Sequence, residues 1–133
     1  MTRFVVDAGA LLHVIGSELD VAGTHELLAP TLIRSQTLSL LHESVSRGDL
    51  DETSARAQLS RIGRLPLRLL GDAVLRRTAW DVANQLGWTS TYDAEYVALT
   101  QLQGDALVTT DPDLAHRVAG IVLTATVDAL FRP

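Results

Sequence analysis

Three aspartates in this chain stand where an acid can do chemistry. Asp7 closes the apolar run Phe4-Val5-Val6 and is followed at once by the small residues Ala8-Gly9-Ala10. Asp93 opens the helical pattern Tyr92-Asp93-Ala94-Glu95-Tyr96-Val97-Ala98-Leu99. Asp111 closes the run Ala106-Leu107-Val108-Thr109-Thr110 and leads into Pro112-Asp113-Leu114. The strand ends of a parallel α/β sheet share one edge, and that edge is where such folds build their sites. Three carboxylates gathered there repel one another unless a cation lies between them. A hard divalent ion held by carboxylates points to phosphate chemistry.

Each acid also has a simpler reading as a helix cap. Asp7 suits the start of a helix at Ala8. Asp111 suits one whose first position is Pro112. Ser90 and Asp93 resemble a capping box. A cap needs only a neutral Ser, Thr or Asn, so acids in all three places add charge that capping does not require. Even as caps they follow parallel strands and share one rim, which favours a metal-binding cluster. Around them, Asp113 is either an outer metal contact or a complement to the helix dipole. Thr109 and Thr110 flank the site and can orient a water or a phosphate. Glu95 points away from Asp93, because residues two apart do not share a helix face. His13, His25, His42 and His116 lack zinc-pair spacing. Trp80, Trp88, Tyr92 and Tyr96 are read as core or partner surface ahead of base stacking.

The elements that must position these acids follow from the pattern. Strands are expected at Arg3 to Val6, His25 to Ala29, Leu65 to Leu70, Ala106 to Thr109 and Ile121 to Leu123, with Pro66 confining the third to an edge or shortening it. Helices are expected over Ala8 to Ile15, Thr31 to Arg47 with Gly48 as its stop, Asp51 to Ile62 closed by Gly63, Asp72 to Leu86 closed by Gly87, Thr91 to Gln103 and Pro112 to Val118. A small C-terminal helix is expected at Val127 to Phe131, and Ser17 to Gly23 reads as loop. Alternating strands and helices mean a mostly parallel sheet covered on both faces. At 133 residues the chain suits one domain spanning 1–133. It has no Cys, which excludes disulfides and thiolate metal sites and fits the cytosol. No signal peptide is visible, and the apolar start is too short to span a membrane.

The net charge is −5, unusual for a chain that handles nucleic acid. All eleven basic residues are Arg, and six of them fall between Arg56 and Arg77. Arg forks match phosphate well, although such a run is more often a solvated face. Without Lys, a phosphate-binding Gly-Lys-Ser/Thr loop is excluded. A haloacid-type phosphatase is set aside too, since the second Asp it needs is Gly9.

An Asp after the first strand, Tyr92-Asp93-Ala94 before an apolar helix, and Leu107-Val108-Thr109-Thr110-Asp111 after a late strand resemble the PIN-domain ribonucleases. The length and the Pro30-to-Gly48 helix resemble the toxin half of bacterial VapBC toxin–antitoxin pairs. The similarity runs from Arg3 to about Leu123, and Tyr92 to Leu114 is its most specific part. It implies a three-layer α/β/α fold and a metal-dependent endoribonuclease. Asp7, Asp93 and Asp111 would be the catalytic, metal-holding acids for Mg²⁺ or Mn²⁺, with Gln36, Asp113 and Thr110 in support. It further implies cleavage to a 5′-phosphate and a 3′-hydroxyl, a cognate antitoxin covering the acid rim, a homodimer, DNA contact only through the antitoxin, and a cytoplasmic location with no membrane. Arg34, Arg64 and Arg68 are the candidates for guiding RNA.

One departure stands out. The family's fourth acid is a Glu on the helix after Ala29-Pro30, and here Gln36 holds that place. Gln offers a neutral oxygen and removes one negative charge, which lowers metal affinity. Glu43 lies two turns on, about 10 Å along the helix, too far to replace it. Three readings stay open: a site working with three Asp and one neutral ligand, a weakened or inactive relative kept as a binding module, or an engineered residue.

Overall fold

The apolar triplets Phe4-Val5-Val6, Leu27-Leu28-Ala29 and Ala106-Leu107-Val108 are buried throughout, as strands covered on both faces must be. In the computed structural model, which describes residues 1–17 and 19–133, they form the centre of a five-stranded sheet. The expected loop at Ser17 to Gly23 includes Glu18, which lies outside the described residues. The strands are β1 (Thr2–Val6), β2 (His25–Pro30), β3 (Leu67–Leu70), β4 (Ala106–Val108) and β5 (Thr124–Ala125), in the order β3-β2-β1-β4-β5. Every pairing is parallel.

The helices are α1 (Ala8–Gly16), α2 (Leu32–Ser46), α3 (Glu52–Arg64), α4 (Ala73–Leu86), α5 (Tyr92–Gln103) and α6 (Pro112–Val118), with a 3₁₀ turn at Val127–Phe131. α5 packs on α4 and rests against β1, β2 and β4, while α1, α2 and α3 pack on one another. The α/β/α layering expected from the alternation is therefore present. The buried side of α5, from Ala94 through Tyr96-Val97-Ala98-Leu99-Thr100, joins the same core as β1 and β4.

Several local expectations shift. Gly63 does not end α3, which continues to Arg64. Its stop is Leu65, extended at φ −72° and ψ 132°, as a residue before proline must be. The last strand is Thr124–Ala125 rather than Ile121 to Leu123. The β4–β5 register pairs Leu107 with Thr124, while Leu123 is 74% exposed. Elsewhere the stops hold: Gly48 and Gly87 adopt φ 79° and 70°, the left-handed region that glycine enters freely.

Strand order places the site. From β1 the chain crosses to β2 on one side, while β4 and β5 lie on the other. The sheet reverses direction of growth between β1 and β4, and such a switch point opens a crevice at the carboxyl ends of the strands. Asp7 and Asp111 follow those two strands.

Candidate metal and RNA site

Asp7 is fixed by its own helix. Its backbone N–H bonds Val108 O at 3.2 Å, tying it to β4, and its Oδ1 accepts the Ala10 N–H at 2.8 Å as N-cap of α1. Asp111 caps α6 with Pro112 behind it, and its Oδ1 accepts the Asp113 N–H at 3.0 Å. Asp93 is different. Thr91 occupies the N-cap of α5 without a side-chain capping bond among the described residues, and Ser90 Oγ accepts the Tyr92 N–H at 3.3 Å. The capping box expected from Ser90 and Asp93 does not form. Asp93 thus has no capping role, which removes the simplest explanation for an acid there.

The three acids feel one another. The Asp7 carboxyl is held above the usual carboxylate range, first by burial and further by the negative charges of Asp93 and Asp111. Hydrogen bonds from Thr109 and Ala10 act in the opposite sense. Thr109 is buried and its Oγ1 also accepts the Asp111 N–H at 3.0 Å, so one hydroxyl links two of the acids. Thr110, expected in support, lies exposed against α1. A Cβ on Gly9 would fall 2.9 Å from its Oγ1, so glycine at 9 keeps the first turn of α1 close to β4.

Among the described residues, no three His, Cys, Asp or Glu side chains converge tightly enough to form a ligand set as they stand. Charge acts over longer distances than coordination, so the mutual influence of the acids and their separation are compatible. Each carboxylate is also turned to a local partner: Asp7 to Ala10, Asp111 to Asp113, and Asp93 to Arg117, 3.9 Å away. The donors are hard oxygens, and a desolvated acid beside two like charges is an environment that a divalent cation relieves. In chemistry and electrostatics the residues fit such an ion.

Gln36 reaches the same region from α2. Its Oε1 accepts the Tyr96 hydroxyl, which projects from the buried face of α5. Burial, with the nearby Asp7, Glu95 and Asp93 charges, pushes that hydroxyl far above its ordinary range, so it stays protonated and donates. Two clefts flank the acids. One, about 480 Å³, is lined by Gln36, Trp88, Ser90, Tyr92, Asp93 and Arg117. The other, about 560 Å³, is lined by His13, Thr109, Thr110, Asp111 and Asp128 among others.

The arginines expected to guide RNA stand elsewhere. Arg34 lies on α2 facing a cleft with Thr31, Ser35 and Leu59, Arg64 bonds Ser60 Oγ at 3.0 Å, and Arg68 pairs with Glu26 at 3.6 Å on the edge strand. The arginine beside the acids is Arg117. It pairs with Asp113 at 3.1 Å and lies 5.1 Å from the centroid of the Trp88 ring. The Asp113–Arg117 spacing of four was visible in the sequence, but the contact with Trp88, from a distant loop, was not.

No family model matches the chain. It is 32% identical over 110 residues to ribonuclease VapC9 of Mycobacterium tuberculosis, covering 80% of this chain and 84% of that relative. The same figures hold for a VapC ribonuclease of Mycobacterium bovis. Among solved structures, PAE2754 from Pyrobaculum aerophilum superposes with a TM-score of 0.71 at 23% identity, over 98% of this chain and 93% of that one. VapBC2 from Rickettsia felis, bound to a DNA fragment from its promoter, superposes at 0.66 and 11% identity, over 93% and 98%. VapC20 of M. tuberculosis, a sarcin–ricin-loop-cleaving toxin, superposes at 0.60 and 17% identity, over 90% and 96%. The structures show the shared fold, and the sequence identity shows the lineage: the chain belongs to the VapC family of PIN-domain ribonuclease toxins.

Proposed function

We propose that residues 1–133 act as one PIN-like domain and as a metal-dependent endoribonuclease, with Asp7, Asp93 and Asp111 holding Mg²⁺ or Mn²⁺. The observation that carries this reading is the placement of Asp7 at the switch point of the sheet, where its carboxyl is desolvated and raised further by the charges of two other acids. An ion bound there supplies offsetting charge for a phosphodiester and makes a nearby water more acidic. The protein's own groups do the rest. The rim fixes the RNA phosphate, and Thr109 holds Asp7 and Asp111 in register. Tyr96 sets the orientation of Gln36, which lines the cleft. Attack of water forms one O–P bond as the P–O3′ bond breaks, leaving a 5′-phosphate and a 3′-hydroxyl. Asp113 and Thr110 stay in support, the first by holding Arg117.

By kinship with VapBC complexes, the partner is a cognate antitoxin covering the acid rim, and any DNA contact runs through it. A homodimer and a cytoplasmic location complete the proposal. Among the described residues no helix is long and apolar enough to cross a membrane. A second reading, a binding module that does not cut, draws on Gln36, whose oxygen is already taken by Tyr96, and on the net charge of −5. Cleavage of a labelled RNA mixture by the purified chain separates the two. The nuclease reading expects cutting with Mg²⁺ or Mn²⁺ that stops with EDTA and in Asp7→Asn. A folded chain that never cuts, even with Mn²⁺, leaves the binding module.

A further inference from the structure

An acidic nuclease without Lys cannot gather RNA by long-range charge, because that attraction needs net positive potential. Stacking on nucleobases is a source of affinity that needs no such field. The chain has two Trp and two Tyr, and one of each borders the cleft beside Asp93. Tyr92 stands next to Asp93 at the start of α5 and is 58% exposed. Trp88 is half-buried against the core, returned there by the left-handed turn at Gly87 and a Trp88 N–H bond to Ala83 O at 2.9 Å. The Arg117 guanidinium lies 5.1 Å from its ring centroid and is held from behind by Asp113 at 3.1 Å. Trp88 and Arg117 are therefore oriented in advance, which lowers the entropy lost on binding. Gln36 adds a donor at the cleft edge, since its oxygen is occupied by the Tyr96 hydroxyl, and Ser90 adds a hydroxyl.

We propose that this cleft is a nucleobase subsite: it takes one unpaired base of single-stranded RNA, next to the cleaved phosphodiester, stacked on Tyr92 and the Trp88–Arg117 pair and bonded along its edge by Gln36 and Ser90. The proposal rests on the nuclease reading above and names how that site selects its strand.

The test uses the full chain carrying Asp7→Asn, so that binding is read without cutting, and Trp80→Phe, so that Trp88 is the one indole. It is titrated with a short single-stranded RNA and with the same RNA made abasic at one position at a time. One abasic position should weaken binding ~10-fold, and intact RNA should quench Trp88 emission. Tyr92→Ala should erase the abasic penalty, and Tyr92→Phe should restore it. A flat abasic scan, or full RNA affinity in Tyr92→Ala, overturns the subsite. So does a Tyr92→Ala chain that loses antitoxin while binding RNA normally, which would make the cleft a protein-docking face. Metal-dependent cutting by the unsubstituted chain with a flat scan sinks the subsite alone, whereas absence of both cutting and RNA binding sinks the nuclease reading with it.

Discussion

Asp7 and Asp51 cap their helices in the same manner, each accepting the N–H three residues on, at 2.8 Å and 3.3 Å. Yet their carboxyls are driven in opposite directions. Asp51, on the exposed start of α3, is lowered by its bonds to Ser54. Asp7, at the crevice between β1 and β4, is raised by burial and by two neighbouring acids. Asp72 caps α4 through the Leu75 N–H at 2.8 Å and is exposed, as Asp51 is. Local sequence produces the same cap in all three places. What sets Asp7 apart is the strand order beneath it, which buries it beside two further acids.

The largest expected effect separates the two regions by activity. Asp93→Ala should slow RNA cutting by ~100-fold or more, since even groups supporting a metal's ligands are typically worth 10- to 100-fold. Asp72→Ala should leave the initial rate unchanged. Equal losses in labelled-RNA assays with Mn²⁺ would break the comparison. Next, Gln36→Glu should restore a charge and tighten Mn²⁺ binding ~10-fold by calorimetric titration, whereas a charge added at exposed Gln85 should not. An unchanged affinity would detach Gln36 from the rim.

Smaller effects fall on stability. Asp72→Ala removes a cap above the buried Leu75 and should cost about 1 kcal/mol in urea unfolding. Asp7→Asn keeps a capping side chain but removes a penalised charge, so in EDTA at pH 7 its Tm should rise by a few degrees at most. The sign follows from linkage. The folded state binds the Asp7 proton more tightly than the unfolded state, so ionised Asp7 penalises the fold above its raised pKa, and the penalty vanishes below the unfolded value. The advantage of Asp7→Asn should therefore shrink as pH falls toward the ordinary carboxylate value, while a neutral substitution at Asp51 loses its disadvantage only below that value. Parallel trends for the two would erase the contrast.

Much of this was legible in residues, and the limits have physical causes. The buried triplets of β1, β2 and β4 read as strands because burial on both faces leaves continuous apolar runs. Pro66 marked an edge strand correctly, since a proline cannot donate to a ladder. Gly63 misled because an exposed glycine only weakens a helix, whereas the residue before a proline cannot stay helical. Ile121 to Leu123 looked like a strand because apolar character alone does not set register, and pairing with β4 does. For the site, strand ends foretold that Asp7 and Asp111 would share a rim. Thr109, Tyr96 and Arg117 act through contacts that only the folded chain brings about. Arg64 and Arg68 stood out as part of an Arg-rich run, but helix and edge-strand positions turned them to Ser60 and Glu26.

The margins of the sheet carry one more consequence. β5 is two residues long, and β3 is four residues preceded by Pro66, with Arg68 exposed along it. Neither margin offers a long, flat row of free amides and carbonyls for another chain to zip onto. Self-templated strand addition, the usual route to fibres, is thereby blocked at both ends. Contact with another chain is left to side-chain surfaces on the helices.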